Sequence, residues 1–294
     1  MEFRVLRYFL AVAHEENISR AAEKLNISQP ALSRQLMDLE DELGVKLLTR
    51  AKRSTTLTEA GYLLKKRAEE MAALEEKTRD ELRREGENIS GSIRIGCGET
   101  VGMRVIAEAV RKVCAAHPKV RCHLYSTDGG DVKERLAKGT LDFGVLVQPD
   151  PPKEFDCIKL PNLDIWGVIM KKDSPLVKLK EIHAADLYER PLIVSRQSFA
   201  NRELRHWFGR NESEMNIVAT YTLMYNASHL VEAGLGYLVG LDRLLGLTSA
   251  SSLTFRPLAP VCTCKNFFVW KRDQVFSRAA LLLKEAVYSA TELS

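Results

Sequence analysis

The sequence predicts an α/β chain in two parts: a compact all-helical unit at the N-terminus and an open sheet flanked by helices, with one long helix between them. Three observations carry this. Up to about residue 58, apolar residues recur at helical spacing between capping residues. Residues 58–87 contain no proline and are dense in Glu, Lys and Arg. Beyond residue 92, short strand-like apolar runs alternate with helical patterns, which implies an open, largely parallel sheet. A length of 294 residues suits two domains rather than one.

In the first helix, Phe3, Leu6, Phe9, Leu10 and Ala13 share a stripe that leaves Arg4 and Arg7 outside it. Asn17-Ile18-Ser19 supplies a cap for a second, short helix with Ala22 and Leu25 inward. Asn26-Ile27-Ser28 is a tight connection; Ser28 caps a third helix, and Pro30 falls in its first turn, where a missing N–H costs little. Leu32, Leu36, Leu39 and Leu43 form its inward stripe, and Gly44 ends it. Two helices joined by so short a turn suggest a helix-turn-helix. At 100° per residue, Pro30, Arg34 and Met37 point away from the leucines, with Gln29 and Ser33 at the edge. Gln29, Ser33 and Arg34 can all hydrogen-bond base edges or phosphates of double-stranded DNA, while Asp38, Glu40, Asp41 and Glu42 sit in the other half of the helix, away from that tip.

Lys46, Arg50, Lys52 and Arg53 then bring four positive charges with no acid between them, and Thr55-Thr56-Leu57 favours a strand. A basic hairpin after a helix-turn-helix is a wing suited to phosphates or a minor groove. Residues 1–58 hold 9 Lys and Arg against 8 Asp and Glu, and the whole chain is only +4, so clustering carries the argument and composition does not. In the next segment Ala60, Leu64, Arg67, Met71, Leu74, Thr78 and Leu82 approximate a four-three alternation, the seam of a dimerising helix about 45 Å long. Ile89-Ser90-Gly91-Ser92 reads as a hinge.

After it, strands are expected at 93–95, 120–125, 141–147, 165–170, 192–194, 237–241 and 267–270, and helices at 101–116, 132–138 and 276–290. No P-loop, G-x-S-x-G or H-E-x-x-H motif occurs, and Gly234-x-Gly236-x-x-x-Gly240 has the wrong spacing for a dinucleotide loop. The six histidines are scattered, so no enzyme, metal site or cofactor is expected. No apolar run is long enough for a membrane span, and the N-terminus lacks a signal-peptide core, which points to a cytoplasmic protein and against a secreted solute-binding protein. Cys97, Cys114, Cys122, Cys157, Cys262 and Cys264 contain no C-x-x-C pair; they read as reduced, buried thiols, with a redox sensor as the alternative.

Ala21-Ala22, Leu25, Ser28-Gln29-Pro30-Ala31-Leu32-Ser33, Gln35, Leu39-Glu40, Leu43-Gly44, Leu47 and Arg50 together resemble the signature of LysR-type transcriptional regulators, with Leu48 where that family usually has Phe. Leu57-Thr58-Glu59-Ala60-Gly61 resembles the start of the family's linker helix, and Leu136-x-x-Gly139-x-Leu141-Asp142 and Glu232-Ala233-Gly234-Leu235-Gly236-Tyr237 resemble its sensor motifs. The resemblance implies a winged helix-turn-helix DNA-binding domain over 1–58, a linker and dimerisation helix over 59–88, and a sensor of two subdomains like a periplasmic binding protein. The first sensor subdomain would span 92–161 and 266–294, the second 162–265. It also implies a homodimer or homotetramer on an imperfect palindromic operator, a small-molecule effector, and RNA polymerase as a further candidate partner. The DNA-contacting set expected is Ser28, Gln29, Pro30, Ser33, Arg34, Arg50, Lys52 and Arg53.

In open α/β sheets ligands bind beyond the carboxyl ends of strands, and helix N-termini there attract anions. Glu99 and Thr100, Thr127 and Asp128, Ser195, Gln197 and Phe199, and Asn226 occupy such positions, and similar regulators use Ser or Thr after the first sensor strand, which makes Thr100 the leading effector contact. For each of these the plain alternative is helix capping. Glu99 and Asp128 add negative charge that disfavours a polyanion, and Arg196 offsets one of them.

Overall fold

The computed structural model describes residues 1–50, 54–82, 89–148, 150, 153–196 and 202–292, with the backbone alone at Arg50, Asp80, Glu81, Leu82, Arg202 and Glu203. The chain divides into two compact units, Met1–Asp80 and Glu81–Ser294.

The first unit contains α1 (Phe3–Glu15), α2 (Ile18–Lys24), α3 (Gln29–Leu43), the hairpin strands β1 (Leu48–Arg50) and β2 (Thr55–Leu57), and most of α4 (Glu59–Leu82). The Asn17 side chain accepts from Arg20 N at 3.0 Å and starts α2; Ser28 accepts from Ala31 N at 3.4 Å and starts α3. Gly44 ends α3 in the left-handed region, φ 67°, where a side chain would be strained. The core gathers Val5, Phe9 and Val12 of α1, Ala21 and Ala22 of α2, Leu32, Leu36 and Leu39 of α3, and Leu47 and Leu48 leading into the hairpin. Two expected stripes need correction. On α1 the buried face is Val5, Leu6, Phe9 and Val12, and Phe3 is exposed, because the stripe follows a 3–4 step from Val5 rather than from the helix end. On α3, Leu43 is exposed because the last turn runs past the domain body. On α4, Ala60 and Leu64 of the expected seam pack on this core, while Met71 and Leu74 stay exposed.

The second unit contains β3 (Ser90–Cys97), α5 (Met103–Ala116), β4 (Lys119–Ser126), α6 (Gly129–Ala137), β5 (Phe143–Gln148), β6 (Phe155–Lys171), β7 (Leu192–Ser195), α7 (Arg202–Phe208), β8 (Ile217–Tyr221), α8 (Met224–Glu232), β9 (Tyr237–Leu241), β10 (Leu253–Pro257), β11 (Thr263–Lys271) and α9 (Arg278–Glu292). The strands join in the order β4-β3-β5-β11-β6-β9-β7-β8, with β10 on β6. The expected largely parallel sheet is in fact mixed. β3 pairs parallel with β4 and β5, and β7 pairs parallel with β8 and β9. The long strands β6 and β11 run antiparallel to each other between these halves, and each also pairs antiparallel with its flanking half. They carry the chain from the first half to the second and back. The expected hinge at Ile89–Ser92 is also corrected: Ser90, Gly91 and Ser92 already pair with Lys119, Val120 and Arg121 in β3.

In each half the inner strands are buried on both faces, while the edge strands β4 and β8 stay largely exposed. In the first half, α5 and α9 cover one face through Ile106, Val113, Leu283 and Val287, and Val132 and Leu136 of α6 cover the other. In the second, Leu204 and Phe208 of α7 lie on one face and Met224, Ala227 and Val231 of α8 on the other.

The cysteines follow this packing. Cys97, in the first half, and Cys262 and Cys264, in the second, are buried as expected, whereas Cys114, Cys122 and Cys157 are only half-buried at the edges of the first-half cores; all six are without disulfides. Trp166 Nε1 donates to Cys264 Sγ at 2.7 Å. Burial, reinforced by Cys114, Cys97 and Asp142, pushes the Cys122 thiol up to about 11; burial also raises Cys97 and, with Asp156 nearby, Cys157. With a pKa near 11 only about one Cys122 thiol in ten thousand is thiolate at neutral pH. The native protein is therefore expected to react with a disulfide reagent at these three thiols far more slowly than after denaturation; reaction at the rate of a free thiol would contradict it.

Candidate nucleic-acid interface and effector cleft

α3 presents two faces. Leu32, Leu36 and Leu39 lock one into the core. The other exposes Ser28, Gln29, Pro30 and Arg34, with Ser33 half-buried at its edge. Gln29 Nε2 donates to Ser33 Oγ at 2.9 Å, which holds two polar groups side by side on the first turn. Arg34 makes no hydrogen bond or ion pair with another described residue, so its guanidinium is unspent. The helix N-terminus adds its own positive end at the same tip. In the hairpin, β1 and β2 pair antiparallel with Arg50 opposite Thr55. Lys52 and Arg53, both in the expected DNA-contacting set, lie outside the described residues.

Glu40, grouped by sequence among acids kept away from the tip, proves to be a buried structural residue, 4% exposed. Its Oε1 accepts from Leu47 N at 2.8 Å and Leu48 N at 3.0 Å, and its Oε2 from Lys46 Nζ at 3.0 Å. It thus ties the recognition helix to the start of the wing. The available signal was its position: four residues after Leu36, on the buried stripe. Burial alone would raise its pKa, but the Leu47 N–H, the Lys46 ammonium and the Leu48 N–H together hold the carboxyl below its ordinary 4.5. Because the folded value is the lower one, this contribution to stability is complete above about pH 4.5 and is lost as pH falls through the folded value. Glu40→Gln should cost about 1–3 kcal/mol at neutral pH, the range for hydrogen bonds to a charged group and for a buried donor left unpaired. The deficit should shrink below pH 4.5. Urea melts at two pH values check both, and a deficit constant with pH would contradict the sign.

In the second unit, Thr100 is 6% exposed and committed. Its Oγ1 donates to Asp164 Oδ2 at 2.6 Å and accepts from Gly102 N at 2.9 Å. Asp164, on β6 and fully buried, also accepts from Val101 N at 3.1 Å and from Asn266 Nδ2 on β11 at 2.7 Å. Asn266 Nδ2 further donates to Asn162 O, and Asn162 Nδ2 donates to Val101 O. Asn266 falls where the β6–β11 register shifts, so this network fastens the loop after β3 to both crossover strands at their irregularity. Sequence reading did not single out Asp164 or Asn266; their partners lie 63 to 104 residues away along the chain.

Thr127 Oγ1 donates to Asp131 Oδ2 at 2.8 Å, and Asp128 caps α6 by accepting from Gly130 N and Asp131 N. Ser195 ends β7, and Asn226 is exposed in the first turn of α8. Glu99, half-buried, accepts from Met224 N at the start of α8. Gln197 and Phe199 lie outside the described residues. Of the expected effector set, then, Glu99 bonds the start of α8, whose first turn carries Asn226, and Thr127 and Asp128 stand together at the start of α6.

A helix-turn-helix with an unspent cation at its tip, in one chain with a two-halved α/β domain, defines a ligand-responsive DNA-binding regulator. Residues 3–62 match the family described as "Bacterial regulatory helix-turn-helix protein, lysR family", and residues 86–291 match "LysR substrate binding domain". The chain is 32% identical over 281 residues to the Hca operon transcriptional activator HcaR of Escherichia coli K12, covering 94% of this chain and 93% of that one. It is 30% identical over 195 residues to a hydrogen peroxide-inducible genes activator of Dickeya chrysanthemi, covering 66% of this chain and 63% of that one. The solved structure of full-length CbnR complexed with its target DNA superposes with a TM-score of 0.73 at 21% identity, over 99% of this chain and 100% of that one, which marks a shared fold. The chain belongs to the LysR family: it is a LysR-type DNA-binding transcriptional regulator with an effector-binding substrate domain.

Proposed function

We propose that two recognition helices, one from each subunit of a homodimer or homotetramer, enter successive major grooves of an imperfect palindromic operator. Gln29, Ser33 and Arg34 read base edges, with Ser28 and Pro30 packed close to them, and Arg50, Lys52 and Arg53 engage phosphates or the minor groove. The observation that carries this reading is the bare Arg34 guanidinium on the face of α3 opposite its buried leucines. Exposed Tyr62, Leu63, Met71 and Leu74 on α4 support subunit pairing along a linker over 59–88.

Between sensor subdomains spanning 92–161 with 266–294, and 162–265, a small-molecule effector contacts Glu99, Thr100, Thr127, Asp128, Ser195, Gln197, Phe199 and Asn226. Its binding alters the pose of the subunits, and with it DNA spacing or bending and contact with RNA polymerase; such coupling is typically ~1–3 kcal/mol. The regulator works in the cytoplasm and performs no catalysis on this reading; separately, no helix among the described residues is long and apolar enough to cross a membrane. A gel-shift on the DNA upstream of the protein's own coding region tests the first part: a retarded band, lost on scrambled DNA, is expected. Footprints and transcription identical with and without every ligand that binds would defeat the second part.

A further inference from the structure

The five-residue loop from Gly98 to Gly102 closes β3 and leads into α5. One residue of this loop, Thr100, is bonded to the crossover strand through Asp164. The neighbouring residue, Glu99, reaches into the other half altogether, where its carboxylate accepts the N–H of Met224, the first residue of α8. That N–H has no capping partner of its own. The preceding residue is Leu223, whose side chain cannot accept a hydrogen bond, and among the described residues of the second half no side chain caps the helix. A carboxylate at a helix N-terminus is held by both the hydrogen bond and the helix dipole. Tyr221, at the end of β8, registers the same charge independently: burial chiefly, and then Glu99, raise its phenol. Glu99 therefore touches the second half at the start of α8.

The base of the loop is built to hold that reach. Val101 N and Thr100 Oγ1 both donate to Asp164, and the packing of Gly102 against Asn266 leaves no room for a Cβ without displacing the asparagine, 3.0 Å away. Asn266 Oδ1 is fully buried and has no hydrogen-bond partner among the described residues. The loop is thus held at its root by β6 and β11, and its tip is bonded to the opposite half through the Glu99 side chain.

We propose that Glu99 is a cross-cleft latch: lent by the first half as the missing N-cap of α8, it fixes the angle between the two halves of the substrate domain when no effector is bound. It rests on the reading of that domain as the switch element, and it assigns to Glu99 the holding of the resting state rather than recognition alone. An effector entering the cleft at Glu99 and Asn226 acts where the latch is fastened. Breaking the contact by mutation reproduces one part of what binding does, with no ligand present.

The test uses the full-length protein without added ligand. Spin labels on non-canonical residues at positions 112 and 212, both exposed and in opposite halves, report the distance between the halves and leave the native thiols untouched. The wild type is expected to give one narrow distance distribution. Glu99→Ala removes both charge and acceptor and is expected to broaden or shift it, with the unlatched population rising about tenfold, the scale set by loss of one N-cap. Glu99→Gln keeps the shape and an acceptor but not the charge, and should fall between them. A distribution in Glu99→Ala that matches the wild type, with α8 merely fraying at Met224 by hydrogen exchange, would reduce Glu99 to a local cap and overturn the proposal. If Glu99→Ala does not fold, Glu99→Gln decides in the same way. Failure of every ligand to bind would sink the effector reading and leave these distances as they are, so the two ideas fail separately.

Discussion

Gly61→Ala is expected to lower the stability of the DNA-binding unit by about 1–3 kcal/mol, the range for overpacking a well-filled site, which in a unit of this size moves its melting temperature by roughly 5–15 °C. The cause is one oxygen. A Cβ at Gly61 would lie 2.1 Å from the main-chain oxygen of Leu47. That oxygen already accepts the N–H of Thr58 at 3.0 Å, Thr58 Oγ1 donates to Lys46 O at 2.7 Å, and Gly61 N donates back to Thr58 Oγ1 at 3.0 Å. Backbone faces backbone, so no side chain can swing aside. Either α4 lifts from the root of the wing or Leu47 retreats, and Leu47 N is one of the groups bonded to Glu40 of α3. The substitution thus disturbs wing, linker helix and recognition helix together. Binding should weaken on operator and scrambled DNA alike. Thermal unfolding and gel-shift titration on both duplexes check it; a variant as stable as the wild type would show that α4 does not need this close approach.

Arg34→Ala is expected to behave differently. It is expected to leave the fold alone, because the exposed guanidinium makes no hydrogen bond or ion pair with another described residue. If Arg34 holds a guanine bidentately, its loss costs about 1–3 kcal/mol, or roughly 5- to 150-fold in operator affinity, with scrambled DNA little affected. A phosphate contact would instead weaken both duplexes similarly and reduce the salt dependence. Equal losses on operator and scrambled DNA would therefore remove the base-reading role.

The contrast between these positions shows where the sequence was readable. Ser28, Pro30 and Gly44 carry their meaning locally, as cap, first-turn proline and left-handed stop, so α3 could be placed with its exposed face. The wing root could not be derived the same way, because what organises it is main-chain N–H groups bonded to Glu40, and backbone groups leave no mark in residue type. Strand direction was equally out of reach. β6 and β11 meet across about a hundred residues, and an apolar run looks alike whichever way it is paired, so a mixed sheet was read as largely parallel. β8 and β10 escaped notice because each is five residues long with few fully buried positions. Thr100 was found through family resemblance, whereas its partners Asp164 and Asn266 became visible only once the crossover strands were in place.

At the centre of the account stands the tip of α3, offered to a duplex groove while its leucines hold it to the domain. A photo-crosslinking residue at position 33, in full-length protein on the operator, tests this most directly. The prediction is adducts on bases at two positions about one helical turn or a multiple of it apart, one for each recognition helix. Adducts confined to other parts of the same chain, on a protein that still retards the operator, would contradict it.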